Sequence, residues 1–188
     1  LLPARDWSRR ALIIALLLLA VVIPLTQRSL DRIDHDWDGV RGEREALVKA
    51  AGDRLGGDLR SAFQLTQQLA DVGAAAAERD RDAAFRILVQ ATRSQRLESG
   101  IAILEADGTP WAWAGSHRLP PRVEGDSITS ASSQYYVTLE SRRHSGRARV
   151  AVANVLVWAH PSVPDRAGSL AERFRARTDV ALAVYRPD

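Results

Sequence analysis

The chain has 188 residues, 46% hydrophobic and 26% charged, with a formal net charge of +3, which suits one ordinary domain plus extra helix and excludes wholesale disorder. It contains no Cys and no Met, so thiol catalysis, disulfide staples, Fe–S clusters and Cys-ligated zinc are excluded. Lys49 is the one lysine among 26 basic residues, and so small and diffuse a charge does not point to nucleic acid.

In chain order, a short arm (residues 1–10) precedes Ala11–Leu25, an apolar run with no polar side chain. A bilayer core needs about 20 apolar residues, and the flanks can complete this run to a transmembrane helix over 11–27. Its lipid-facing residues would be Ala11, Leu12, Ile13, Ile14, Leu16, Leu17, Leu18, Leu19, Val21, Val22 and Ile23, with Trp7, Arg9, Arg10 and Arg28 at the headgroups. A cleaved signal peptide needs two small residues spaced by one, which Ile23–Arg28 does not offer. Arg5, Arg9 and Arg10 before the run, against Asp31, Asp34, Asp36 and Asp38 after it, place the arm in the cytoplasm by the positive-inside rule. The remainder would then be periplasmic, on the bacterial inner membrane. No His, Asp, Glu, Asn or Gln lies within the run, so it would anchor or pack without carrying a cofactor.

Beyond it, Leu30, Ile33, Trp37, Val40, Leu47, Ala51, Leu55, Leu59, Phe63, Thr66 and Leu69 recur in steps of three and four, with one step of seven from Val40 to Leu47. That period predicts a long amphipathic stalk helix over 28–78, with bends or a break at Gly39, Gly42, Gly52 and Gly56–Gly57. Asp34-His35-Asp36-Trp37-Asp38 resembles a metal cluster only in composition, because consecutive helical positions diverge. Gly73–Ala77 continues or caps the stalk, and a second helix runs from Arg81 to Gln95, burying Phe85 and Leu88.

At Gly100 the period becomes two. Gly100–Glu105 and Pro110–Ala114 read as a hairpin about Asp107–Gly108. A Pro/Gly/Ser-rich loop covers 115–133. Gln134–Ser141 and Arg147–Trp158 form a longer hairpin, Ala167–Arg177 a helix burying Leu170 and Phe174, and Asp179–Tyr185 a closing fifth strand.

The hairpin motif Ile101–Trp111, with Asp107–Gly108 at its turn, and the closing segment Leu170–Val184, together with the long helix ahead of them, resemble the extracytoplasmic PAS-like (Cache) sensor domains of bacterial transmembrane receptors such as histidine kinases. The resemblance implies an α+β domain over 79–188 built on a five-stranded antiparallel sheet, with a pocket above the sheet for small carboxylates, amino acids or similar ligands. Trp113, Tyr135 and Tyr136, with Arg147, are the aromatic and basic groups that could line such a pocket, although alternating strand aromatics more often belong to a core.

No reaction chemistry is legible. His35, His117, His144 and His160 show no metal-binding spacing, and no P-loop or dinucleotide fingerprint is present. Ser116 and His117 are adjacent, but adjacent side chains seldom meet and no nucleophile elbow surrounds them. Neither catalytic residues, cofactor nor metal is expected. Arg142, Arg143, Arg147 and Arg149 cluster on one hairpin, either as a solvated edge or as a docking patch for an acidic partner or lipid headgroups.

Two functions follow as expectations. A receptor carries a second span and a signalling module, and neither lies within these residues. This favours a non-enzymatic, single-pass accessory subunit that packs by its helix and ectodomain on a larger respiratory or photosynthetic membrane complex. The alternative is the ligand-sensing input portion of a receptor histidine kinase, with a small-molecule ligand as partner.

Overall fold

The computed structural model describes residues 4–125, 127–164 and 168–184, with only the backbone described for 4–17, 34 and 35. Its elements are the helices α1 (Ala4–Ala77), α2 (Arg81–Arg93) and α3 (Leu170–Thr178), and the strands β1 (Ser99–Leu104), β2 (Pro110–Gly115), β3 (Ile128–Ser132), β4 (Tyr136–His144) and β5 (Val150–Ala159). The chain divides into two units, one ending at Ala50 and the other beginning at Ala51.

The first unit is the N-terminal part of α1. The transmembrane helix expected over 11–27 is not shown, and that expectation is corrected: among the described residues, no helix is long and apolar enough to cross a membrane. Of the apolar run, Ala11–Leu17 and its flanking Trp7, Arg9 and Arg10 lie outside the residues whose side chains are described. The described remainder, Leu18–Leu25, falls far short of the roughly 20 residues a bilayer core requires and leads directly into Thr26, Gln27 and Arg28. Nor do the glycines break the helix, which runs through all five. A Cβ on Gly39, Gly42, Gly52, Gly56 or Gly57 would meet nothing within 4 Å, so their lost helix propensity is not exchanged for close packing there.

The second unit is a five-stranded antiparallel sheet in the order β2-β1-β5-β4-β3, with helices on one face. The C-terminal turns of α1 lie against that face through Ala62, Thr66, Leu69, Ala70, Ala76 and Ala77, all buried. Small residues let the helix approach closely. A Cβ on Gly73 would stand 2.8 Å from both Ile101 Cγ2 and Ala151 Cβ, inside any tolerable contact. The Gly73–Ala77 segment is thus the seat of the helix on the sheet, and Leu59 and Phe63, expected on the buried stripe, remain exposed. Leu88 of α2, Leu170 of α3 and Ile101, Ile103, Ala153 and Val155 of the sheet complete this core.

Local chemistry sets the ends of the shorter elements. Asp80 caps α2, its Oδ1 accepting from Ala83 N at 2.8 Å, and Ser169 caps α3 through Glu172 N at 3.2 Å. In the β1–β2 hairpin Gly108 takes φ +85° and Asp107 Oδ1 accepts from Thr109 N at 2.9 Å, an Asx turn that lowers the Asp107 pKa.

The five strands are not the five expected. Residues 179–184 form no strand; α3 ends in a left-handed Asp179 (φ 57°) and irregular chain follows. The fifth strand is β3, within the stretch expected as loop, and it pairs with β4 from Ile128↔Ser141 to Ser132↔Val137. The polar sequence ITSAS carries little hydrophobic alternation, so its pairing comes from the exposed edge of β4 rather than from a buried face of its own.

Candidate functional site

The face of the sheet turned away from the helices holds an unusual row. Register places Gly115 of β2, Gly100 of β1, Asn154 of β5, Glu140 of β4 and Thr129 of β3 side by side across all five strands. The next row contains Trp113, Ala102, Val152 and Arg142. The first row is polar where a sheet face covered by chain would ordinarily be apolar.

Gly115 ends β2 with φ +80°, and a Cβ there would lie 2.2 Å from Ser99 O. That turn sends Ser116 and His117 back over the sheet, with Ser116 N donating to Ser99 O at 3.0 Å. His117 comes to rest above Gly100: a Cβ on Gly100 would stand 2.8 Å from His117 Nε2, 2.7 Å from Asn154 Oδ1 and 2.5 Å from Ser116 O. The missing methyl of Gly100 is therefore the space in which imidazole and amide meet.

Asn154 is 5% exposed, and its Nδ2 donates to Ser116 O at 3.2 Å. Its Oδ1 is buried without a hydrogen-bond partner, as are both ring nitrogens of His117 and the hydroxyl of Ser99. Buried polar atoms are nearly always paired, so the grouping of Asn154 Oδ1 with the two His117 nitrogens stands out. Desolvation lowers the His117 pKa below its ordinary 6.5, against the smaller opposing effect of a hydrogen bond with the Ile101 backbone, one too weak in geometry to satisfy the ring. The ring is accordingly neutral at physiological pH and presents one donor and one acceptor.

The linkage has a definite sign. Below about pH 6.5 an unfolded imidazole takes up a proton that the buried one resists, so stability falls with pH between 6.5 and the depressed folded value. His117→Gln is expected to flatten that part of the curve, as urea unfolding at about pH 5 and about pH 7.5 will show.

A buried ion pair anchors the cover of the site. Arg142 Nη2 donates to Glu140 Oε2 at 2.8 Å, with 6% and 5% of their side chains exposed. Arg142 Nε also donates to Arg122 O at 2.9 Å, and its backbone N to Ser127 O at 2.9 Å, tying the 115–127 loop to β4. Val123 of that loop packs on Ala102, Leu104, Val150 and Val152. A separate cavity of about 460 Å³, lined by Gln95, Glu98, Ser99, Gly115 and Ser116 among others, opens where α2 ends beside β1 and β2.

Of the residues singled out from sequence, Trp113 and Arg142 stand in the row beside the site and the others lie apart from it. Trp113 is half exposed and meets Phe85 edge-on at 5.8 Å. Tyr136 begins β4, beneath the Arg118 guanidinium (5.4 Å), with Tyr135 beside it. The four arginines each have a different acidic partner. Arg142 is buried, Arg143 pairs with Asp71 at 2.7 Å, and Arg147 with Glu78 at 3.6 Å. Arg149 pairs with Glu105 at 3.0 Å while its guanidinium lies 3.8 Å over Trp111. Arg143, Arg147 and Arg149 thus link the hairpin to its own surroundings, Arg147 remaining more than half exposed. His35 lies outside the described side chains, His144 ends β4, and His160 Nδ1 stands 2.7 Å from Ser162 Oγ. Among the described residues no group of three or more His, Asp or Glu side chains could hold a metal ion.

Sequence reading missed Gly100, Asn154 and Glu140, and singled out Arg142 only as part of a docking patch. One signal was present: Asn154 is the lone polar residue within the apolar strand VAVANVLVWA. Ser116 and His117 were noticed as a pair, yet Ser116 takes part through its carbonyl, not its hydroxyl.

The fold and the site define an α+β domain with a buried, unsatisfied polar point on the free face of its sheet. Compared with known proteins, the chain matches no family, no curated sequence and no solved structure.

Proposed function

We propose that this chain is a non-enzymatic, PAS-like ligand-binding module that holds a small uncharged polar molecule between His117 and Asn154. The observation that carries this reading is the buried, unpartnered Asn154 Oδ1 close to a buried His117 ring whose one polar contact is a weak one with the Ile101 backbone. Neutral His117 supplies one donor and one acceptor, and Asn154 Oδ1 a second acceptor. The matching ligand has at least two N–H or O–H donors and one acceptor, as a primary amide or a hydroxy compound does. A free carboxylate fits poorly, because Arg118 and Arg142 are already paired with Glu98 and Glu140. The five-stranded antiparallel sheet and the Asp107–Gly108 hairpin support the PAS-like part of the reading.

The position of the site suits sensing. Gly100 faces the ligand, while its neighbour Ile101 lies against Gly73 of α1 on the other face. Movement of β1 on binding is therefore passed to the helix by direct contact. The accessory-subunit expectation rested on a membrane anchor, which the described residues do not show.

Thermal unfolding of the full chain against a panel of small amides, hydroxy compounds and carboxylates tests the assignment. A neutral amide or hydroxy compound at about 100 times its dissociation constant is expected to add about 2.7 kcal/mol, raising Tm by several degrees. Asn154→Ala and His117→Gln should abolish that rise. A panel without effect, or a shift that persists in both variants, would overturn the assignment.

A further inference from the structure

We infer that residues 30–48 of α1 form a parallel, in-register coiled coil with a second copy of this chain. Within the first unit, Leu30, Ile33, Trp37 and Val40 are spaced three and four apart, Leu47 follows one heptad after Val40, and all are exposed, Ile33 at 60% and Trp37 at 64%. With Leu30 at position a of a heptad, Trp37 and Arg44 take the following a positions, and Ile33, Val40 and Leu47 fill d. The seam is narrow, two residues in seven, which is the pattern of a helix meeting another helix rather than lying on a sheet. A solitary helix carrying Gly39 and Gly42 draws little stability from propensity, and an apolar seam supplies it only when covered.

Charge complementarity identifies the occupant as this same chain, running parallel. In a parallel pair, position g of one helix faces position e of the next heptad on the other. Asp36 is at g and Arg41 at e, so Asp36 meets Arg41 of the second copy, and the symmetric contact repeats it. Arg41 is free to exchange, since its contact with Glu45 is a 3.5 Å pair between side chains more than 60% exposed. The one charge in the seam, Arg44 at a, is flanked in this alignment by Glu43 at g of the second copy, which removes the penalty of a lone cation there. An antiparallel alignment offers no such partner set.

The chain has no Cys, so single cysteines report contacts without background. In the purified full chain under mild oxidation, I33C, V40C and L47C, each tested alone, should give covalent dimers in most of the protein. D38C and E45C, on the outer side, should give at least about tenfold less. Since each d residue meets its own copy only in a parallel in-register pair, efficient linkage at all three excludes an antiparallel arrangement. Within the V40C background, R41D should reduce the linked fraction about fivefold, and D36R with R41D should restore it. Equal linkage at inner and outer positions, linkage at one d position alone, or no linkage in a chain that is monomeric by light scattering would each overturn the inference.

Discussion

Arg142→Met is expected to reduce the unfolding free energy by about 3–5 kcal/mol. Arg142 and Glu140 are only 6% and 5% exposed at the side chain and meet at 2.8 Å. Removing the guanidinium leaves a carboxylate in a place from which water is excluded, and that uncompensated charge dominates the loss. Two hydrogen-bond acceptors lose their donor as well, since Arg142 also serves Arg122 O. The double variant Glu140→Leu with Arg142→Met is expected to regain most of the stability, because an apolar pair of similar volume carries no desolvation penalty. Denaturant unfolding of the two variants beside the parent measures both effects. A single variant as stable as the parent would mean that Glu140 finds another partner or reaches solvent. Recovery of stability without recovery of ligand response would separate the general packing of β4 from the tether that Arg142 gives the 115–127 loop.

Gly100→Val is expected to destabilise the domain by about 3 kcal/mol, at the upper end for a core forced to take extra volume. Strand propensity alone predicts the opposite sign, since Val is among the best strand formers and Gly among the poorest. Geometry decides the matter. Even the first carbon would stand 2.5 Å from Ser116 O, 2.7 Å from Asn154 Oδ1 and 2.8 Å from His117 Nε2. Two of these neighbours are side chains, but the nearest is backbone held by the Ser116 N–Ser99 O bond at 3.0 Å, so β2's end and the loop must shift together. The site closes in the same step. Thermal unfolding should show the loss of stability, and the panel of neutral ligands should no longer raise Tm. A stable Gly100→Val variant that still responds to ligand would remove Gly100 from the site.

Much of the domain was readable from side-chain periods. The Asp107–Gly108 hairpin follows from turn chemistry, α2 from its apolar spacing, and the buried Leu170 and Phe174 of α3 from theirs. Alternation in β5 likewise put Val150, Val152 and Asn154 on one face and Ala151 and Ala153 on the other, as the register has them. Local sequence can specify these features because each needs only neighbours within a few residues.

The rest depended on contacts between distant segments. ITSAS has no period to read, and it becomes β3 because β4 has an open edge. Asp179–Val184 alternates like a strand, yet it pairs with none of the five strands and stays irregular. The apolar run after Ala11 looked sufficient for a membrane, whereas the described part of α1 is not apolar enough to cross one. The site shows the same division most plainly. Gly100 lies dozens of residues before Glu140 and Asn154 and comes beside them only through strand register, while His117 reaches them because Gly115 turns the loop back over the sheet. Residue type and spacing set what each segment could become; pairing across the sheet, where a backbone row brings far-apart side chains within bonding distance, chose which of them share a site.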